Sequence, residues 1–274
     1  MLLAGELRET LREIAQDGYR PPQGEVAALV RSMLHHAGGG DGALREEIYT
    51  TVATWILEHD CLAPELLRSL LPRVLDEDHI FFRIGEAGGD GVFTRSFSML
   101  WLPLLLSRHR ARPYLGPAQV AQVKAALLRY LREEQDRRGW VGGKGWAHAV
   151  AHAADVLDDL ARCREMGEAD LRDILGAVRD VVCVSDSVYG YGEEERLATA
   201  VLAVLARELL APAELEAWLR SFATPVHDTP TLPQRLALRS NVKNFLQSLY
   251  FRLRWEGRAA GLLRPVEETL RAIG

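Results

Sequence analysis

Apolar residues recur along this chain at intervals of three and four. Leu3, Leu7, Leu11 and Ile14 form one stripe, and Val26, Leu29, Val30, Met33 and Leu34 form the next. Leu44, Ile48, Val52, Trp55 and Ile56 follow, then Leu66, Leu67, Leu70, Leu71 and Val74, and later Val120, Val123, Leu127 and Leu131, then Leu171, Ile174, Leu175 and Val178. A helix with one buried face requires this spacing. No alternating run is long enough to predict a strand. Pro64, Pro117, Pro212 and Pro265 each stand where a new helical pattern opens, as suits proline in a first turn. Glycine-rich breaks fall at 38–42, 85–91 and 139–145.

The pattern predicts an all-α protein of about eleven or twelve helices joined by short loops. Helical units recur at roughly 35 to 45 residues, the range of two-helix repeats, without a repeating sequence signature. The expected architecture is therefore an α-solenoid, a superhelix of paired antiparallel helices, with a compact multi-helix bundle as the alternative. No polar linker divides the pattern, so a single domain over 1–274 is expected.

Composition narrows the function classes. Hydrophobic residues make up 48% and charged residues 26%, an ordinary globular balance. A net charge of −5 and a pI near 5.9 argue against general nucleic-acid binding. Of 33 basic residues only Lys124, Lys144 and Lys243 are lysine, which fits the codon usage of a GC-rich bacterial genome and carries no functional weight. Cys61, Cys163 and Cys183 are odd in number and widely spaced, suiting a reducing cytosol, with Cys163 and Cys183 as small core fillers. The N-terminus MLLAGELRETLREI lacks the apolar run of a signal peptide. The longest uncharged apolar run, Ser96 to Ser107, falls short of the ~20 residues of a membrane span. A soluble cytoplasmic protein with no membrane partner is expected.

The sharpest chemical signal is GWAHAVAHAADVLDDL, Gly145 to Leu160. On a continuous helix Trp146, Ala149, Ala153, Val156, Leu157 and Leu160 share an apolar sector, while His148, His152, Asp155 and Asp159 share a narrow polar one. Histidines at i and i+4 with a carboxylate at i+7 can close on a divalent metal such as zinc, iron or manganese. The glutamate that follows the first histidine in zinc-peptidase helices is replaced by Ala149, which excludes that chemistry. A metal-free polar binding site and a structural or solvent-facing stripe are the other two readings.

Four further segments matter. DRRGWVGGKGW, Asp136 to Trp146, is not a P-loop, because its glycine-to-lysine spacing is wrong and Gly145 stands where serine or threonine belongs. It reads as a flexible inter-helix connection or an anion-binding turn, with Trp140 and Trp146 as packing anchors or pocket walls. In FTRSFS, Phe93 to Ser98, Arg95 is either a buried ion-pair partner or a ligand-facing cation. YGYGEEERL, Tyr189 to Leu197, places Glu193, Glu194 and Glu195 at a helix start, where the dipole favours them. SNVKNFLQSLYFRLRW, Ser240 to Trp255, predicts an amphipathic helix packed through Val242, Phe245, Leu246, Leu249 and Leu253. No nucleophile stands out: Ser185 and Ser187 have no histidine nearby in sequence, and His227–Asp228 reads as a loop at a helix boundary.

FTRSFSMLWL, RGW followed by GWAHAVAHAADVLDDL, GEEERLA and NVKNFLQSLYFRL together resemble a bacterial family of unassigned function, domain of unknown function 2785. The resemblance spans about residues 45–255. It implies an all-helical fold akin to HEAT-type solenoids and no particular activity. The glycines between Gly139 and Trp146 make this segment longer than the family's usual spacing from RGW to the first histidine.

Two functions follow as expectations. One is a binding module, without enzymatic activity, whose concave face is lined by Arg95, Trp140, Trp146, His148, His152, Asp155 and Glu194 and takes a peptide, protein or small-molecule ligand. The other is a metal-dependent hydrolase with His148, His152 and Asp155 as ligands and one of Glu193, Glu194 or Glu195 as base or fourth ligand.

Overall fold

The computed structural model describes residues 1–24, 26–257 and 259–274. It is 68% helical, and its only sheet among the described residues is a hairpin of two two-residue strands, so the fold is all-α. The chain groups into two compact units, Met1–Val156 and Leu157–Gly274.

The first unit contains α1 (Ala4–Gln16), α2 (Val26–His36), α3 (Gly42–Ala53) with a π-helical turn at Thr54–Glu58, α4 (Pro64–Val74), α5 (Gly91–Met99), α6 (Trp101–Ala111) and α7 (Pro117–Glu133). The hairpin strands β1 (Trp140–Val141) and β2 (Gly145–Trp146) come next, then α8 (Ala149–Arg162), within which the division between units falls. The second unit continues with α9 (Glu168–Val182), α10 (Glu193–Leu205), α11 (Pro212–Arg220), α12 (Ala223–Asp228), α13 (Leu232–Glu256), a 3-10 turn at Ala260–Leu262, and α14 (Leu263–Ala272).

The predicted stripes form the cores. Leu7, Leu11, Ile14, Leu29, Val30, Met33, Leu44, Ile48, Val52, Trp55, Leu67 and Leu71 are buried in the first unit, and Leu171, Ile174, Leu175 and Val178 in the second. Full burial of each such aliphatic side chain is worth roughly 1.5–3 kcal/mol. Leu3 departs from its stripe: it is the exposed N-cap of α1. Helix starts follow local chemistry. Pro64, Pro117 and Pro212 occupy first turns, and the Asp41 carboxylate accepts the Ala43 and Leu44 amides at the start of α3. At Gly38 a Cβ would lie 2.1 Å from the Thr94 Cα, so the break before α3 needs glycine because α5 packs directly on its backbone. α13 begins eight residues before the predicted amphipathic segment, and all five predicted core residues on it are buried. His227 and Asp228 form the last turn of α12 rather than a loop. Among the described residues no helix is long and apolar enough to cross a membrane.

Candidate functional site

The glycine-rich segment before α8 is a built hairpin, not a flexible connection. Trp140 pairs with Trp146 and Val141 with Gly145. The ladder extends through Ala147 N donating to Gly139 O (2.8 Å) and His148 N to Arg138 O (3.1 Å). Gly143 and Gly145 supply left-handed backbone at φ +74° and +87°. His148 is also left-handed, at φ +48°. It turns the chain into α8, and its carbonyl accepts the His152 amide (3.0 Å).

Two expectations change here. Trp146 lies on β2 and not on the apolar face of α8, and His148 precedes the helix instead of sharing its polar face. Nor is the histidine stripe wet. His148 and His152 are 7% and 5% exposed, Asp159 is buried, and Asp155 is half-buried. The small residues Ala149, Ala151, Ala153 and Ala154 are buried beside them, so α8 is enclosed on both faces.

A chain of ring contacts runs inward from the hairpin. Exposed Trp140 meets Trp146 edge-on at 4.9 Å, and Trp146 stacks on His148 at 4.3 Å. His148 and His152 meet edge-on at 5.8 Å, and His152 meets Phe97 at 5.6 Å. The His152 Nδ1 lies 3.0 Å from the Ser96 carbonyl. Phe97 in turn lies under the Arg45 guanidinium, 4.9 Å from its ring centroid, and Phe93 lies at 4.2 Å.

Arg45 is the residue that sequence reasoning missed. It is 1% exposed. Its Nη1 donates to Gly39 O at 2.6 Å and its Nη2 to Lys144 O of the hairpin, while Nε has no hydrogen-bond partner. No carboxylate forms an ion pair with it among the described residues. Burial pulls its pKa down, against weaker upward pulls from Glu46 and Asp90. A signal was present: Arg45 precedes Ile48 by three and Val52 by seven, on the buried side of α3.

Arg95 is the ion-pair partner of its two readings. It is fully buried, and Nε and Nη2 bind Glu134 at 2.6 and 2.7 Å. Its remaining N–H groups donate to the carbonyls of Phe82, Arg83 and Glu86 at 3.0 to 3.1 Å, so every donor of the fork is used within the protein. Glu134 also accepts the Asp136 amide (2.8 Å), and Asp136 holds Arg138 (2.6 Å) and the Gly88 amide (2.9 Å). This network ties the loop before α5 to the segment entering the hairpin. On the outer edge Lys144 pairs with Asp90 at 2.6 Å.

Among the described residues no group of three or more His, Cys, Asp or Glu side chains is arranged to hold a metal ion. Glu194 belongs to the second unit, on the first turn of α10. It lines a groove of about 760 Å³ between α10 and α13. One carboxylate oxygen of Glu194 is buried without a hydrogen-bond partner. Burial raises its pKa, and the charges of Glu193 and Glu195 push the same way. Glu193 is buried, its carboxylate accepting the Tyr191 amide at 2.9 Å.

No curated protein and no solved structure matches the chain. The family described as "Protein of unknown function (DUF2785)" matches residues 80–251. That range takes in Arg95, the hairpin, both histidines and Glu194, and leaves Arg45 and Trp255 outside. The match covers more than half of the chain, which therefore belongs to the DUF2785 family.

Proposed function

We propose that the chain is a binding protein that takes a small anionic ligand, a carboxylate or phosphate ester, at the cluster of Trp140, Trp146, His148 and Arg45 in the first unit. The observation that carries the reading is the Arg45 guanidinium, buried with a free Nε–H and no carboxylate opposite it. Burying a cation costs several kcal/mol. Two carbonyls and two phenylalanine faces offset part of that, at about 2 kcal/mol for a desolvated cation–π contact. A ligand oxyanion would supply the missing partner and a charge-assisted hydrogen bond.

The hairpin supports the same reading. Its Lys144 carbonyl accepts from the Arg45 Nη2, so the guanidinium lies directly beside the turn that carries Trp140 and Trp146, and the Lys144–Asp90 pair holds the tip of that turn. The Trp140 and Trp146 faces suit the planar part of a ligand. The metal-dependent hydrolase has weaker support, since it requires three donors converging on one position. Metal content of the native protein is accordingly expected to match that of His148→Ala and His152→Ala. The cysteines Cys61, Cys163 and Cys183, odd in number and widely spaced, support a reducing, cytoplasmic setting.

The test is calorimetric titration and thermal denaturation with a panel of small carboxylates, phosphate esters and their neutral amides. Anions are expected to raise the melting temperature and change tryptophan emission, with both effects lost in Arg45→Gln. If no anion shifts the native protein, or Arg45→Gln responds equally, the reading is wrong.

A further inference from the structure

The second unit carries a groove of its own, independent of the Arg45 cluster. Its walls are the first turns of α10 and the last turns of α13. On the α13 side Phe251 and Trp255, one turn apart, stack with centroids 5.8 Å apart and planes 30° apart. They are 47% and 77% exposed. Trp255 buries little against the protein, so packing does not account for its stack on half-exposed Phe251.

Opposite them lies Glu194. A carboxylate at a helix N-terminus ordinarily keeps a low pKa through the dipole and free amides. Burial outweighs that help here and leaves one oxygen unpartnered. The other charged groups lining the groove are Glu195, Glu256, Arg196 and Arg252. Arg252 is committed: it donates to Glu195 O at 3.3 Å and to the Thr199 hydroxyl, and lies 3.7 Å from Glu256. Three carboxylates against two guanidiniums leave the groove negative.

We infer that this groove binds an organic cation, an alkylammonium or guanidinium group, with its charge at Glu194 and its stem or face against Phe251 and Trp255. Three features converge on that class: a carboxylate oxygen lacking a donor, a pair of exposed π faces, and an open volume within the usual range of small-molecule sites. A neutral donor could hydrogen-bond the Glu194 oxygen but would leave its charge uncompensated, and an anion would meet like charge. The cation can come from a free amine or from an arginine or lysine side chain of a protein.

The experiment titrates the full chain with butane-1,4-diamine, with N-acetyl-arginine amide, and with the neutral citrulline amide, reading heat and the part of the tryptophan emission that Trp255→Ala removes. The charged probes are expected to bind and the citrulline amide to bind at least about tenfold more weakly, the discrimination expected of a half-buried carboxylate. Glu194→Gln should weaken the cation about tenfold, Trp255→Ala should weaken it several-fold, and Glu168→Gln, on α9 outside the groove, should leave it unchanged. Preference for the capped arginine assigns the source to a protein side chain, and preference for the diamine to a free amine. Affinity should also fall as pH drops through the raised Glu194 pKa, because the protonated carboxyl no longer attracts a cation. Equal binding of citrulline amide, or full affinity in both groove variants, overturns the inference, as does failure of both cations to bind. Trp255→Ala changes an exposed position and keeps the test decisive should Glu194→Gln fail to fold.

Discussion

Trp146 lies flat on His148, with ring centroids 4.3 Å apart and planes 18° apart, while His148 itself holds a left-handed backbone at φ +48°. The two facts are coupled. The left-handed turn takes the chain out of the hairpin and into α8 while keeping the imidazole under the indole. That backbone costs a non-glycine residue roughly 1–2 kcal/mol, and an aromatic stack returns about 0.5–1.5 kcal/mol. His148→Ala and His148→Gly both lose the ring, but only glycine escapes the strain. His148→Gly is expected to be the more stable by about 1 kcal/mol, as read from urea unfolding midpoints. Equal midpoints would mean that the turn relaxes once the stack is gone.

Arg45 and Arg95, the most deeply buried arginines of the first unit, should respond unequally to charge removal. Arg95→Met strands the Glu134 carboxylate in the interior and should cost about 3–5 kcal/mol. Arg45→Met removes a buried cation that has no carboxylate to strand. Its cost comes from the carbonyls of Gly39 and Lys144 and the lost cation–π contacts with Phe93 and Phe97, and should stay at about 2 kcal/mol. Denaturant unfolding of the two variants measures the contrast, and a penalty for Arg45→Met as large as that for Arg95→Met would contradict this account of Arg45.

Period-three and period-four spacing made the helices legible because each stripe has one face to bury, and Leu7, Ile48, Val123 and Leu175 lie where that spacing puts them. The hairpin was not legible. Its two-residue strands are too short to alternate, and its register depends on left-handed glycines and on Arg45, 99 residues from the carbonyl it holds. The same nonlocality displaced the histidine face: helical angles assume that α8 is already running at His148, whereas strand pairing of His148 N with Arg138 O delays it. Arg95 among phenylalanines read equally as a buried ion-pair partner and as a ligand-facing cation, and its partner Glu134 and the carbonyls of the 82–86 loop, which decide between the two, emerge only from the fold. Arg45 was missed because one arginine beside an apolar stripe looks like a helix edge until the hairpin covers it.

Asp136 should shape the acid limb of stability. Burial alone would raise its pKa, but the Arg138 side chain and the Arg138 and Gly88 amides hold the net value below the ordinary 3.8. A folded pKa below the unfolded one stabilises the protein above the unfolded value, and that stability is lost as pH falls through the folded one. Asp136→Asn should therefore unfold more easily near neutrality and lose less stability than the native protein between about pH 5 and pH 2. Parallel acid limbs for the two proteins would show that Asp136 contributes nothing there.

Asn241 of α13 is 1% exposed and serves three backbone groups of the segment leading to α10. Its Oδ1 accepts the Tyr189 amide at 3.0 Å, and its Nδ2 donates to Ser187 O at 2.9 Å and Val184 O at 3.2 Å. Asn241→Ala orphans all three and should cost about 2–3 kcal/mol. Asn241→Asp should be worse, because it keeps the acceptor but sets a carboxylate against two carbonyl oxygens. Since this segment delivers Glu193 and Glu194 to the start of α10, the loss should appear first as faster amide exchange over 184–194, while the buried Val120, Val123 and Leu127 face of α7 in the first unit stays protected. Exchange mapped by mass spectrometry on the two variants separates this from global destabilisation: uniform acceleration along the chain would mean that Asn241 supports the whole fold and not the entry to α10.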